Sequence, residues 1–188
     1  METLYTPLQT SDIRLISVLP AQADQPNAPL RLSMQQVPLT PETTYFALSY
    51  VWGDPKDSRT LLVNDVPFTT AVSTAAGSDV PSLSPDPPMF QWWTDAICIN
   101  QADIDEKNAQ VPRMGAIYTS ALRVWIWLGY PEDVFPQDHG TSSQPFTPES
   151  SSPIFHRFLR QMSALMAHAW FERTWTIQEF VLSQNPPV

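Results

Sequence analysis

Hydrophobic residues in this chain fall into short uninterrupted runs that alternate with segments of helical periodicity. The run at 45–52 is almost continuously apolar and is followed at once by a Gly-Asp-Pro turn sequence. Such a run predicts a strand that is buried on both faces and ends in a turn. Residues 92–99 and 124–128 have the same character and predict a second and a third buried strand.

Helical spacing is found in two segments. Residues 103–121 predict a helix whose main part begins at Pro112 after a short lead-in turn. Its apolar positions are Val111, Met114, Ile117, Tyr118 and Ala121. Residues 154–169 predict an amphipathic helix, and a second short helix is expected to begin near Glu172. The apolar stripe of the amphipathic helix is Phe155, Phe158, Leu159, Met162, Leu165 and Met166.

Shorter strands are predicted at 13–19, at 30–37 and in a hairpin at 60–70 whose turn is Asn64-Asp65. Continuous apolar strands that alternate with helices are typical of the α/β class. We therefore expect a mostly parallel central sheet flanked by helices. The first strands and the hairpin are expected to form an antiparallel extension at the amino-terminal side of that sheet.

The twenty prolines mark the boundaries between these elements. Three segments are too polar and proline-rich for regular structure and are expected to be loops. They are residues 21–29, 78–88 and 131–153. The chain is accordingly divided into an amino-terminal strand extension at 1–44, a main domain at 45–182 and a short tail at 183–188.

Composition and charge exclude several classes of function. Of the 188 residues 43% are hydrophobic, and the formal net charge is −9, which argues against a nucleic-acid surface. The single cysteine, Cys98, rules out an intrachain disulfide and reads as a small core residue. The first twenty residues lack the apolar core of a signal peptide, and no apolar run is long enough to span a bilayer. A cytoplasmic protein is expected.

Polar residues at the expected strand ends form the candidate binding site, because open parallel sheets bind ligands there. The three loops at that rim are Trp52-Gly53-Asp54, Asn100-Gln101 and Gly129-Tyr130. Trp52, Gly53 and Asp54 would form a tight turn or approach a nucleotide closely. Asn100 suits a turn or cap, or else a ribose or phosphate contact, with Gln101 beside it.

Asp95 lies inside a predicted apolar strand, where a buried carboxylate needs partners. Three readings stay open for it: a helix cap, an ion pair with Arg113, or a ligand-binding or catalytic role. The three histidines are wrongly spaced for a metal site, and no metal is expected. The phosphate-binding glycine motifs of dinucleotide folds are also lacking.

Four ordered motifs resemble those of the fungal heterokaryon incompatibility (HET) domain. They are YFALSYVWGD at 45–54, WTDAICINQ at 93–101, QVPRM at 110–114 with IY and VWIWLG up to 129, and WFERTW at 170–175 running into Gln178-Glu179. The resemblance implies a role in non-self recognition between fungal cells that ends in cell death. Members of this family usually carry a helix where this chain has the Ser- and Pro-rich residues 72–90, and they often continue into long further regions.

The HET domain is in turn distantly similar to TIR domains, which implies a TIR- or flavodoxin-like sheet and, for enzymatic members, cleavage of NAD. The shared feature is a tryptophan four residues before a glutamate, here Trp175 and Glu179, which a helix would place one turn apart on one face. A carboxylate can stabilise the oxocarbenium-like ribose, and an aromatic ring can stack on the nicotinamide cation. Glu179 is thus the expected catalytic residue and Trp175 its packing or stacking partner. Alternatively, Trp175 is a core residue, and Glu179 is a solvated helix residue or an ion-pair partner of Arg173.

Three hypotheses follow from the sequence. The first is a TIR-like NAD glycohydrolase, for which NAD is substrate and no cofactor is required. The second is a noncatalytic signalling module that assembles with like domains or with a partner signalling protein. The third is a different hydrolase that uses Asp95 and Glu179 as a carboxylate pair, which requires a separation of roughly 5 to 9.5 Å.

Overall fold

The computed structural model describes residues 4–20, 28–52, 56, 58–71, 91–128 and 162–173. Within these ranges seven strands form one sheet. They are β1 (Asp12–Val18), β2 (Arg31–Pro38), β3 (Phe46–Tyr50), β4 (Ser58–Val63), β5 (Val66–Ala71), β6 (Trp92–Trp93) and β7 (Arg123–Trp127). Their order across the sheet is β5-β4-β2-β1-β6-β3-β7. The predicted loops at 78–88 and 131–153, and the atypical segment at 72–90, lie outside the described ranges.

The sheet is mixed, so the expectation of a mostly parallel sheet is wrong. β3 pairs in parallel with β6 and β7, as expected for strands joined by helical crossovers. The two longest ladders are β1 with β2 and β4 with β5, and both are antiparallel. β1 also joins β6 antiparallel, while β2 and β4 run in parallel. The predicted antiparallel extension is therefore present. It consists of β1, β2, β4 and β5, which are four of the seven strands and belong to the same sheet.

The β4–β5 hairpin confirms the turn predicted at Asn64-Asp65. Both residues adopt left-handed backbone angles, with φ of 51° and 62°. A two-residue hairpin turn of the twist-matched type needs such angles, and Asn and Asp tolerate them better than other side chains. The Asn64 side chain also bonds the backbone of Met34 on β2, accepting from its N–H at 2.8 Å and donating to its carbonyl at 3.0 Å. The turn is thus tied to the sheet as well as to its own strands.

The predicted strand at 92–99 is largely wrong. Only Trp92 and Trp93 are in a strand, and the chain then forms a short helix, α1 (Asp95–Cys98), all of whose residues are buried. A short apolar run is compatible with either a buried strand or a buried helix, and periodicity does not distinguish them. The consequence is that Asp95 begins a helix and does not lie within a strand.

The helical region that follows confirms the prediction for 103–121. It consists of α2 (Ile104–Gln110), one 3-10 turn (Val111–Arg113) and α3 (Met114–Ser120). Asp103 caps α2, because its side chain accepts a hydrogen bond from the N–H of Glu106 at 3.0 Å. The predicted apolar positions Met114, Ile117, Tyr118 and Ala121 are all buried.

The two faces of the sheet at β6 are packed differently. Trp92 and Trp93 point to opposite faces, as adjacent strand residues must. Trp93 meets the ring of Tyr118 on α3 at 5.3 Å between centroids, and both tryptophans belong to the hydrophobic core. Trp92 lies between Phe46 and Trp125 on the other face. β7 lies at the edge of the described sheet, and its burial is partial: Val124 is buried, and residues 125–127 are half-buried.

The last described segment is helical at 162–166 and then forms a 3-10 turn, Ala169–Glu172. Met162 and Met166 are exposed, which contradicts the predicted apolar stripe in this part of the helix. Trp170 takes the buried position in the segment instead, with 2% of its surface exposed. None of the helices in the described ranges is long and apolar enough to cross a membrane.

Candidate functional site

A cleft of about 410 Å³ opens outside the carboxyl ends of β3 and β6. Polar and aromatic side chains line one part of it, and the apolar side chains of the helical region line the rest. The lining residues are Trp52, Asp95, Ile99, Gln101, Val111, Met114 and Arg173. Its volume lies within the range of roughly 300–1,000 Å³ that is usual for small-molecule sites, and its position is the one expected for parallel strands.

Asp95 is the best-connected polar group of the cleft. It is the first residue of α1, immediately after β6, so the strand end fixes its position. Its Oδ1 accepts hydrogen bonds from the Tyr50 hydroxyl at 3.0 Å and from the backbone N–H of Ala96 at 2.8 Å. Its Oδ2 accepts one from the indole Nε1–H of Trp52 at 3.1 Å. Both oxygens are therefore satisfied by neutral donors.

Burial raises the pKa of the Asp95 carboxyl group above its ordinary value. Hydrogen bonds from Tyr50 and Trp52, together with the positive charge of Arg173, oppose that effect without cancelling it. A carboxylate removed from water is costly unless donors compensate for the lost hydration. The cleft thus contains an acid that is held in one orientation and whose charge is only partly compensated.

Trp52 and Gln101 contact Asp95 and line the cleft beside it. Trp52 follows β3, and 51% of its surface is exposed although its indole N–H is bonded. Gln101 lies beyond α1, and its side-chain amide donates to the backbone carbonyl of Asp95 at 2.9 Å. The segments that follow β3 and β6 therefore both contact Asp95.

Arg173 enters the cleft from the last described segment. Its guanidinium donates to the backbone carbonyl of Tyr50, at the end of β3. Trp170, three residues earlier, anchors this segment, because its buried indole N–H donates to the buried Ser49 hydroxyl at 2.6 Å. The two contacts place a positive charge beside the Asp95 carboxylate.

Of the residues predicted from the sequence, Trp52, Asp95 and Gln101 meet at the cleft. Asn100 does not line it: its backbone N–H donates to Glu106 at 2.7 Å, and its side-chain oxygen accepts from Ala102 at 3.2 Å. These contacts are those of a turn, which was one of the two roles considered for Asn100. Gly53, Asp54, Gly129, Tyr130, Trp175 and Glu179 lie outside the described residues.

The proposed ion pair between Asp95 and Arg113 is wrong. Arg113 donates instead to the backbone carbonyls of Ser11 at 2.9 Å and Asp12 at 3.0 Å. The separation of Asp95 from Glu179, on which the carboxylate-pair hypothesis depends, falls outside the described part of the chain.

Sequence reasoning missed Tyr50 and Arg173 as members of the site. A signal for Tyr50 was present, since it lies two residues before Trp52 and strand alternation puts both side chains on one face. Arg173 offered no comparable signal, because its position depends on the docking of Trp170 against a strand far away in sequence.

Neither Cys98 nor a cluster of metal-ligating side chains forms a second site within the described residues. The Cys98 thiol is free and buried, and burial raises its pKa to about 12. Such a thiol stays protonated at neutral pH and is a poor nucleophile, which agrees with its reading as a core residue. Across the residues that the structure describes, no group of three His, Cys, Asp or Glu side chains converges as a metal site requires.

Comparison with known proteins gives a consistent result. The family model described as "Heterokaryon incompatibility protein (HET)" matches residues 45–179. A curated protein from Neurospora crassa, "Heterokaryon incompatibility protein 6, OR allele", is similar to the chain, with 28% identity over 224 aligned positions. The alignment covers 92% of this chain and 32% of that relative, so the chain spans about a third of the relative's length. No solved structure matches the chain.

Proposed function

The chain belongs to the heterokaryon incompatibility (HET) family, and from that premise we propose that it acts in heterokaryon incompatibility, the recognition of non-self between fungal cells. We further propose that its cleft binds NAD and that the chain cleaves it, with cell death as the cellular outcome. The relative from Neurospora crassa is named for incompatibility, which supports the first part. The second part is supported by the cleft and by the distant similarity of HET domains to TIR domains.

The observation that carries the proposal is the convergence of Trp52, Asp95, Gln101 and Arg173 on one cleft. A nucleotide needs a flat apolar surface for its rings, hydrogen-bonding groups for its ribose hydroxyls and positive charge for its phosphates. An indole, a carboxamide and a guanidinium are the matching groups. The net charge of −9 belongs to the whole chain, whereas Arg173 supplies a positive charge at the cleft itself.

The proposed reaction makes modest demands on the protein. The bond between nicotinamide nitrogen and ribose C1′ breaks, and its electron pair goes to the nitrogen, so the cationic ring leaves as neutral nicotinamide. Water then adds to the oxocarbenium-like C1′ and releases one proton, which gives ADP-ribose. No general acid is needed for the leaving group, and one carboxylate near the ribose can stabilise the developing positive charge.

Glu179 is the carboxylate to which we assign that role, with Trp175 as its packing or stacking partner. Glu179 follows Arg173 by six residues. The assignment is supported by Arg173, which precedes Glu179 in the same sequence motif and lines the cleft.

The test is release of nicotinamide from NAD by the purified protein, followed by chromatography, beside the variant Glu179→Gln. Each protein is assayed dilute and after forced clustering on a multivalent scaffold, because a second copy or a signalling partner is the expected activator. We expect turnover in the clustered wild type and a loss of at least about 100-fold in the variant, as for removal of a key electrostatic group. The control is Asp105→Asn, which removes an exposed carboxylate away from the cleft.

Two results would decide against cleavage. Intact NAD after prolonged incubation of clustered wild-type protein would exclude it, and equal turnover by Glu179→Gln would exclude the assigned carboxylate. NAD binding without turnover would instead support a noncatalytic signalling module in the same pathway.

A further inference from the structure

Trp52 combines two features that rarely occur together. Its ring is half exposed, with 51% of the residue surface open, and yet its indole N–H is fixed by Asp95 at 3.1 Å. A tryptophan ordinarily stabilises a fold by burying its ring. Fixing a ring that stays in solvent removes side-chain freedom and returns little burial, so stability alone does not account for the arrangement.

Asp95 is built to hold that ring. Its Oδ1 is occupied by the Tyr50 hydroxyl and the Ala96 backbone N–H, which together fix the carboxylate plane. Its Oδ2 then has a defined direction, and the indole N–H of Trp52 lies on it. Because burial of a carboxylate is costly, the use of this group to orient a surface ring points to a role for the ring itself.

Trp52 lines the cleft together with Gln101 and Arg173. An aromatic face accepts any planar heteroaromatic ring by stacking, and a ring already held in position binds without a further entropic cost of ordering. We infer that Trp52 is the stacking platform for a planar heteroaromatic ring of the cleft's ligand, and that Asp95 is the positioning residue that holds the platform. This inference rests on the proposed function, because it places a nucleotide in the same cleft.

The first test measures affinity with two ring-bearing probes that the proposed reaction does not cleave, AMP and nicotinamide. Dissociation constants are obtained by ligand-observed NMR for the wild type, Trp52→Ala, Trp52→Phe and the control Leu122→Ala. Leu122 is equally exposed, at 49%, but lies outside the cleft. We expect Trp52→Ala to weaken at least one probe by roughly 5- to 150-fold, the range for stacking on an aromatic ring. Trp52→Phe should retain most of the affinity, and Leu122→Ala should match the wild type.

The outcomes separate the inference from the proposed function. Equal affinity of wild type and Trp52→Ala for both probes overturns the platform and leaves a nucleotide cleft intact. Failure of the wild type to bind either probe overturns both the platform and the nucleotide cleft. Failure to release nicotinamide in the earlier assay, with stacking intact, overturns only cleavage.

The second test addresses the positioning role of Asp95 by its dependence on Trp52. Asp95→Asn should weaken the affected probe by roughly 2- to 10-fold, the equivalent of one hydrogen bond. The same change made in Trp52→Phe, which has no indole N–H, should have no further effect. In nitrogen–proton NMR spectra the indole signal that disappears in Trp52→Phe should shift in Asp95→Asn. Tyr50→Phe keeps the Asp95 carboxylate but removes one of the hydrogen bonds that fix its orientation. It should therefore weaken the affected probe less than Asp95→Asn does and shift the same indole signal.

If Asp95→Asn lowers the affinity equally in the wild type and in Trp52→Phe, the positioning role is overturned. The carboxylate would then act on the ligand or on the fold and not through the indole N–H. An unmoved indole signal in both Asp95→Asn and Tyr50→Phe would do the same. Substitution of a residue with only a structural role would weaken binding by the same factor whether position 52 is tryptophan or phenylalanine.

Discussion

Two buried carboxylates lie eleven residues apart in sequence and have opposite environments. Glu106 on α2 forms a two-point ion pair with Arg14 of β1, with distances of 2.5 and 2.9 Å. The two side chains are only 8% and 3% exposed. Asp95 on α1 is held by three neutral donors and borders the cleft. One acid is neutralised by a direct partner, whereas burial raises the pKa of the other despite its hydrogen bonds and the nearby charge of Arg173.

The Arg14–Glu106 pair joins four parts of the fold. Arg14 also donates to the Cys98 carbonyl at 3.1 Å and to the Thr6 carbonyl at 2.7 Å, and its guanidinium lies 4.8 Å from the centre of the Tyr5 ring. Glu106 additionally accepts from the Asn100 N–H at 2.7 Å. The amino-terminal lead-in, β1, the end of α1 and α2 are therefore fastened at one point.

The difference between the two acids indicates which is structural and which is functional. A buried charge paired directly with an opposite charge cannot lose its partner without a large cost in stability, whereas a carboxyl group at a cavity with a pKa shifted by burial is typical of binding and catalytic sites. Both lie in the segment that follows β6, so residue type and position in sequence alone do not distinguish them. Substitution of each acid tests whether the two differ in this way.

The largest effect is expected for Glu106→Ala. Removal of one member of a buried ion pair leaves the other charge uncompensated, and we expect a loss of about 3–5 kcal/mol in the free energy of unfolding. Denaturation in urea, monitored by circular dichroism, measures it. The matched double variant, Arg14→Met with Glu106→Leu, should recover part of the loss, because no uncompensated charge remains, although the Asn100 N–H and the Cys98 and Thr6 carbonyls still lose their bonds to the pair. A loss below about 1 kcal/mol for the single variant would contradict the structural role.

A smaller loss is expected for Asp95→Ala. The change leaves the Tyr50 hydroxyl and the Trp52 indole N–H without their acceptor, which should cost about 1–3 kcal/mol. Part of this cost is offset because an unfavourably buried carboxylate is removed as well. The same urea denaturation measures the loss, and its comparison with Glu106→Ala ranks the two acids. A loss that equals or exceeds that of Glu106→Ala would remove the distinction between them.

Much of the fold could be predicted from local patterns. β3, the β4–β5 hairpin and α3 follow from a continuous apolar run, a turn sequence with the required backbone angles, and a helical repeat. The segment after Trp93 could not be assigned, because its apolar run fits both a buried strand and a buried helix. The antiparallel character of most of the long ladders was underestimated, since strand direction is set by partners and connections across the whole sheet.

The candidate site could be predicted only in part, for the same reason. Trp52 and Gln101 were placed at one rim by the rule that ligands bind at the carboxyl ends of parallel strands. Asp95 was expected inside a strand, and ligand binding or catalysis was one of three roles considered for it. Arg14 could not be recognised as a buried ion-pair partner, because Glu106 lies 92 positions further along the chain. Arg173 reaches the cleft through the contact of Trp170 with Ser49, which joins residues 121 positions apart. Contacts of this range leave no local signature.

A third and more modest effect is expected for Asp103→Ala. Asp103 is an exposed acid that caps the helix on which Glu106 lies, so it separates the contribution of a cap from that of the buried pair. Loss of a helix cap costs about 1 kcal/mol. Asp103→Asn should retain most of the stability, because asparagine caps equally well. Equal stability of Asp103→Ala and the wild type in urea denaturation would show that the cap contributes nothing here.

The smallest effect, and the one most specific to the cleft, is a difference in pH dependence between the wild type and Asp95→Asn. Burial raises the pKa of Asp95 in the folded state above its ordinary value of 3.8, so the folded protein holds its proton at pH values where the unfolded chain has lost it. Stability that derives from this group is therefore fully present below the ordinary pKa, and it is lost as the pH rises through the raised pKa. Asparagine carries no such proton.

The urea midpoint of the wild type should consequently fall relative to that of Asp95→Asn as the pH is raised from about 4 towards neutrality. Asp105→Asn makes the same change in net charge at an exposed position, and it controls for the overall field of an acidic protein. Parallel midpoint curves for the wild type and Asp95→Asn would mean that the hydrogen bonds from Tyr50 and Trp52 compensate the buried charge fully. Asp95 would then resemble Glu106, and the incompletely compensated charge that marks the cleft as a functional site would be absent.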